Sequence, residues 1–122
     1  LEDMHIHKTG ALIRASVLLA ALAAEAEDWK RERLDHYGKC VGLAFQIRDD
    51  ILDVEGDTQT LGKTRGADLA RDKPTYPALL GLDGAKERAR ELHEDALRAL
   101  EPFDERADTL RAVSRFIIDR VR

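Results

Sequence analysis

The chain has 122 residues, a formal net charge of −4 and one cysteine, Cys40. That length suffices for a single domain with its own core. The acidic balance argues against a nucleic acid or an anionic membrane surface as the main partner. One cysteine excludes an internal disulfide framework and fits a reducing compartment such as the cytoplasm.

No targeting segment is visible. The chain opens Leu1-Glu2-Asp3-Met4 and enters a structured pattern at once, which reads as a cut through a larger protein. Residues 8–27 predict a helix that is apolar on nearly every side and must be covered all round. Its apolar stretch contains Arg14 and is too short for a membrane span, so no stable membrane insertion is expected. Lys8-Thr9-Gly10 opens it. A lysine, a hydroxyl and a glycine at a helix start can receive a phosphate, or they can form a plain capping turn.

Residues 30–54 predict a second helix, with Leu34, Tyr37, Val41, Ala44, Ile47, Ile51 and Leu52 as its apolar positions. Gly38 and Gly42 lie on one stripe with Gln46 and Asp49. A glycine inside a helix costs roughly 1 kcal/mol against alanine, so it needs a reason: close helix packing, or room for a ligand. Cys40 falls on the opposite side and reads as a buried structural thiol. Residues 55–72 predict a loop with Gly56, Gly62 and Gly66. Lys63, Arg65, Arg71 and Lys73 are offset there by Glu55, Asp57, Asp68 and Asp72, so the loop alone reads as a charge-balanced, solvated segment. Pro77 suits the first turn of a short helix through Leu82, followed by a turn at Asp83-Gly84. Ala85, Ala89, Leu92, Ala96 and Leu100 mark a further helix, ended near Pro102. Leu110, Val113, Phe116, Ile117 and Val121 mark the last one, with Asp108 or Thr109 as its N-cap. No strand pattern occurs, and the fold class expected is all-α.

The chemistry concentrates in Asp49-Asp50-Ile51-Leu52-Asp53. A helix advances about 100° per residue. Asp49, Asp53 and Gln46 therefore fall close together, with Asp50 at the edge of the arc. Like charges so placed repel one another, and a cation between the oxygens relieves that. Oxygen-only ligands at this density suit Mg²⁺ or Ca²⁺ rather than zinc. An EF-hand starting at Asp53 fails, because Thr58 stands at the turn-glycine position and Thr64 at the twelfth. Carboxylates that hold a metal, a metal that holds phosphate, and mobile lysines that close over it together describe a site for a diphosphate. The apolar surroundings suggest a hydrocarbon group attached to it.

Four ordered segments resemble the trans-isoprenyl diphosphate synthases, the polyprenyl synthetase family. They are Lys8-Thr9-Gly10-Ala11-Leu12, then Gly42-Leu43-Ala44-Phe45-Gln46-x-x-Asp49-Asp50-Ile51-Leu52-Asp53, then Gly62-Lys63-x-x-Gly66-x-Asp68, then Lys73-x-Thr75-Tyr76-Pro77. The ending Phe116-Ile117-Ile118-Asp119-Arg120 also fits. The likeness to bacterial farnesyl diphosphate synthase stands out. The resemblance spans essentially the whole chain, residues 1–122, which corresponds to the C-terminal portion of the single isoprenoid synthase-type helical bundle. It implies a transferase that condenses an allylic diphosphate with isopentenyl diphosphate, using Mg²⁺ or Mn²⁺, as a homodimer. It assigns Asp49, Asp50 and Asp53 to the metal, Asp49 directly and the other two partly through metal-bound water. It assigns Lys8, Lys63 and Lys73 to the diphosphate, and places Thr9, Gln46 and Lys8 at the reacting centre.

The chain departs from the family in lacking a second Asp-Asp cluster of this spacing. Half of the implied metal site is therefore absent, and the isolated chain is expected to be inactive. Two rivals are a terpene cyclase fragment and a non-catalytic module of the same fold. A cyclase would carry an Asn/Asp–Ser/Thr–Glu triad further on, and none is found. A retired site would have no need of the acidic motif and three lysines.

Overall fold

The computed structural model describes residues 9–60 and 75–121. They form four α-helices: α1 (Ala11–Ala23), α2 (Asp28–Thr60), α3 (Tyr76–Ala99) and α4 (Asp108–Asp119), with a 3₁₀ turn at Glu105–Ala107 leading into the last. No strand occurs among the described residues, and none of their helices is long and apolar enough to cross a membrane.

Helix α1 is shorter than its apolar pattern predicts. It stops at Ala23 because Glu25 adopts a left-handed φ of 54°. The Ala26 amide then donates to the Ala21 carbonyl and the Glu25 amide to Leu22. These paired bonds satisfy the carbonyls that a helix end leaves over. Only Ala21 of α1 is buried, and Leu12, Leu19 and Leu22 are exposed. The described residues thus cover one side of this helix, not all of it.

Helix α2 is the axis. Tyr37, Val41, Ala44, Ile47 and Ile51 recur at helical spacing and are all buried. Cys40 is buried beside them, and burial pushes its thiol up to about 11. Facing them on α3 are Ala85, Ala89, Leu92, Ala96 and Ala99, mostly small residues that let the two backbones approach. Burying each large aliphatic side chain stabilises the fold by about 1.5–3 kcal/mol. Helix α2 runs on to Thr60 rather than stopping at Val54. One glycine, Gly56, weakens a long helix by only about 1 kcal/mol, and each further residue adds a backbone bond. The start of the expected 55–72 loop is therefore helical.

Helix α1 packs against α2 through glycine. A Cβ on Gly42 would stand 2.8 Å from the Gly10 Cα, and one on Gly38 would stand 3.1 Å from the Arg14 Cα. The helices therefore run antiparallel in close contact, so the packing explanation for these glycines holds. Arg14 closes the pair with a two-pronged ion pair to Asp35, at 2.5 and 2.9 Å. That hydrogen bond holds the Asp35 carboxyl below its usual range.

Thr75 caps α3, its hydroxyl accepting from the Ala78 amide at 3.3 Å, with Pro77 in the first turn as expected. The break falls at Gly81 (φ 78°, ψ 164°), not at Asp83-Gly84. A positive φ suits glycine, and Asp83 and Gly84 continue the helix beyond it. The expected cap of α4 also moves upstream. Asp104, not Asp108 or Thr109, offers its carboxylate, to the Arg106 amide at 2.9 Å. The cap residue directly before α4 is Ala107, with no side-chain bond. Ile117 is buried, whereas Val113, Phe116 and Val121 are exposed. The inward stripe of α4 is completed by a polar residue, Ser114. It meets the buried His93 of α3 at 2.7 Å. Tyr37 adds a hydroxyl donor to the Leu110 carbonyl at 2.7 Å.

Two expected outcomes follow from this packing. Gly42→Ala pushes a methyl against the Gly10 backbone and destabilises the fold by about 1–3 kcal/mol. Gly56→Ala meets nothing within 4 Å and stabilises it by about 0.5–1 kcal/mol. Urea denaturation followed by circular dichroism separates the two signs. The second concerns pH. Burial first, then the charge of Arg115, lowers the His93 pKa, with Asp119 and Glu94 opposing. The unfolded chain then binds the proton more readily than the folded one. The stability that neutral His93 contributes is present above its ordinary pKa and is lost as pH falls through the folded value. His93→Gln keeps a partner for Ser114, and the melting temperature should then fall less steeply between pH 7 and pH 5.

Candidate active site

The close α1–α2 contact sets the geometry of the acidic end. With Gly10 against Gly42, the Thr9-Gly10 turn lies about one helical turn from Gln46 along α2. Thr9 and Gly10 form a wide π-type turn entering α1, and Gly10 itself has helical φ and ψ with no side-chain cap. Lys8 itself lies outside the described residues, as do Lys63 and Lys73.

The three aspartates part company. Asp50 is buried, 7% exposed. Its carboxylate accepts from Gln46 Nε2 at 3.5 Å and from the Tyr76 amide at 3.4 Å. Tyr76 is the first residue of α3, so this amide is one of the donors that a helix N-terminus leaves over. Asp50 and Thr75 between them serve two of those donors, and the helix dipole favours a negative charge there. Asp49 is half-exposed and faces Arg120 of the α4 end, whose Nη2 stands 3.5 Å away. Asp53, one turn beyond Asp49, is exposed.

Among the described residues no three His, Cys, Asp or Glu side chains converge into a metal site. The donor chemistry still fits a hard cation. Asp49 offers oxygen alone, it already attracts a positive group in Arg120, and its accessible side leads along the helix to Asp53. A Mg²⁺ ion takes few protein ligands and completes its shell with water, so one or two direct carboxylates suffice from this part of the chain.

Arg120 and Tyr76 are the site neighbours that the sequence does not reveal as such. Arg120 lies 71 positions from Asp49, and only the docking of α4 brings it there. Its guanidinium lies over the Phe45 ring, 4.4 Å from the centroid. Arg48 in turn donates twice to the Arg120 carbonyl, at 3.1 and 2.9 Å. An open groove of about 750 Å³ lies elsewhere, lined by Val17, Ala21, Trp29, Leu34, Phe103 and Leu110. Trp29 and Asp49 are about 30 Å apart along α2, so that groove is no part of the acidic site.

Comparison with known proteins bears on the family and the fold. The profile of the polyprenyl synthetase family matches residues 1–114. The farnesyl diphosphate synthase of Escherichia coli K12 is 53% identical over 98% of this chain and 42% of its own length. A chloroplastic geranylgeranyl pyrophosphate synthase of Catharanthus roseus is 47% identical over 98% of the chain and 34% of its own. The solved structure of a farnesyl-diphosphate synthase candidate from Marinomonas sp. MED121 superposes with a TM-score of 0.79 at 41% identity, over 97% of this chain and 39% of that one. An FPP/GFPP synthase from Zymomonas mobilis gives 0.81 at 34% identity, over 95% and 36%. The chain thus spans about two-fifths of the length of the bacterial relatives. The fold is the all-α isoprenyl synthase fold, and the chain belongs to the polyprenyl synthetase family.

Proposed function

We propose that residues 1–122 are the C-terminal portion of a single isoprenyl synthase domain. The whole protein joins an allylic diphosphate to isopentenyl diphosphate, giving a short prenyl diphosphate, farnesyl or geranyl. The observation that carries this reading is the placement of Asp49. The glycine contact and the Asp50–Tyr76 bond fix its helix, while its carboxylate stays accessible.

Asp49 would hold Mg²⁺ directly, with Asp50 and Asp53 assisting partly through water. When bound, the metal neutralises the diphosphate and makes it a better leaving group. Lys8, Lys63 and Lys73 bring ammonium charge to the same oxygens. The allylic C–O bond breaks, and its electrons leave with the diphosphate. Thr9 and Gln46 set their oxygen dipoles near the carbocation that remains. The double bond of isopentenyl diphosphate attacks that cation, a new C–C bond forms and a proton is lost. The site must exclude water, which would quench the cation. The full-length protein works as a homodimer in the cytoplasm, with no nucleic-acid partner.

The test uses the full-length protein. Asp49→Ala should lower turnover of isopentenyl and dimethylallyl diphosphates by more than about 100-fold. The metal-free melting temperature should change little, because lost pairing with Arg120 and relieved repulsion from Asp53 offset each other. A sharp fall in that melt would make Asp49 structural. The isolated 122-residue chain should show no turnover, and condensation by it alone would refute the division of the site.

A further inference from the structure

We infer that Arg120 is a resident counter-ion of Asp49, which a divalent cation must displace when it binds the acidic turn. The inference rests on the metal reading of Asp49 above and adds a residue that competes with the metal.

The contacts of Arg120 are of two kinds. Its backbone is clamped: its amide donates to the Phe116 carbonyl at 2.9 Å, and its own carbonyl receives both bonds from Arg48. Its side chain is only 12% exposed and lies against the Phe45 ring. The guanidinium, by contrast, is loosely paired. Nη2 reaches both Asp49 Oδ1 and the Phe45 carbonyl, each at 3.5 Å, beyond the usual hydrogen-bond range. Nε is buried with no partner among the described residues. Arginine carries five donor hydrogens, and a buried donor left unpaired is costly. What keeps the group in place is therefore the ring stack and the charge of Asp49, rather than a full set of bonds.

That arrangement has a consequence for a metal. A guanidinium and a divalent cation a few ångströms from one carboxylate repel each other strongly where water is partly excluded. The metal can take Asp49 only as the guanidinium turns away. The clamped backbone keeps Arg120 beside the site while it does so. Arg120 thus neutralises Asp49 in the metal-free protein and weakens its grip on the metal. Its charge, and not its hydrogen-bond geometry, performs that role.

Titration of full-length protein with Mn²⁺, with free ion read by electron paramagnetic resonance, tests this. The signal of interest is the bound fraction that Asp49→Asn abolishes. In Arg120→Gln that fraction should bind about fivefold more tightly, the equivalent of one ion pair of ordinary strength. In Arg120→Lys, which keeps the charge, it should stay within about twofold of the parent. Should the Gln variant fail to fold, Arg120→Met keeps the apolar stem on Phe45 and should tighten binding in the same way. A merely structural arginine would loosen the metal site when removed. Unchanged or weaker binding in the folded neutral variants therefore overturns the counter-ion role and leaves the metal site standing. No Asp49-dependent binding in any variant overturns the metal reading itself, and the inference with it.

Discussion

The contact between Gly42 and Gly10 governs where everything else can lie. Two helix axes ordinarily stand 8–10 Å apart, a distance set by the side chains between them. Here α2 offers no side chain at Gly38 or Gly42, and the backbone of α1 fills the space. Each glycine weakens α2 by about 1 kcal/mol. Dispersion contacts between the two backbones offset that, and Arg14 fixes the register through Asp35. The result is a start of α1 held at a definite height on α2, about one turn from Gln46.

The other side of the same helix is held by polar bonds. Asp50 turns to the seam with α3 and meets the Tyr76 amide, while Thr75 meets the Ala78 amide one turn on. The N-terminus of α3 is thereby pinned to the acidic turn. Gly81 then redirects the chain, so that the alanine stripe from Ala85 onward can lie along Tyr37, Val41 and Ile47. A buried carboxylate at a helix N-terminus is stabilised electrostatically, which is why a charge can occupy this seam at all.

The main helices and the apolar stripe of α2 were legible in the sequence because helical periodicity is a local property, repeated over many residues. So was the acidic turn, with the glycines that precede it. Local readings failed where the deciding partner was distant or the signal ambiguous. Gly56 reads as a loop residue, yet α2 carries it as its third glycine and runs on. Asp83-Gly84 has the composition of a turn, but Gly81 takes the positive φ. Asp108 and Thr109 are good caps by type, yet Asp104 serves the incoming chain first. Phe116 fits the apolar pattern of α4, while Ser114 and His93 fill the interior with a hydrogen bond that no hydropathy pattern encodes. In the candidate site, Thr9 entered only through the family resemblance, whereas the shared stripe of Gln46 and Asp49 could be expected from helical spacing. Arg120 could not, because its approach depends on how α4 docks.

The division of labour among the three aspartates follows from geometry. Adjacent positions on a helix diverge by about 100°, so Asp49 and Asp50 cannot serve one small cation as directly as two residues a turn apart. Asp50 is instead engaged by Gln46 and the Tyr76 amide, and that engagement has a use. In the metal site proposed at Asp49, a carboxylate that grips a cation works best on a backbone that does not move. Asp50 anchors the helix one residue away from Asp49, from inside the protein, while Asp49 and Asp53 stay on the accessible side. A simple acidic cluster would have placed all three charges in water and left the acidic turn without an inward anchor. Placing one of them inside converts part of the charge repulsion into a fixed platform for the other two.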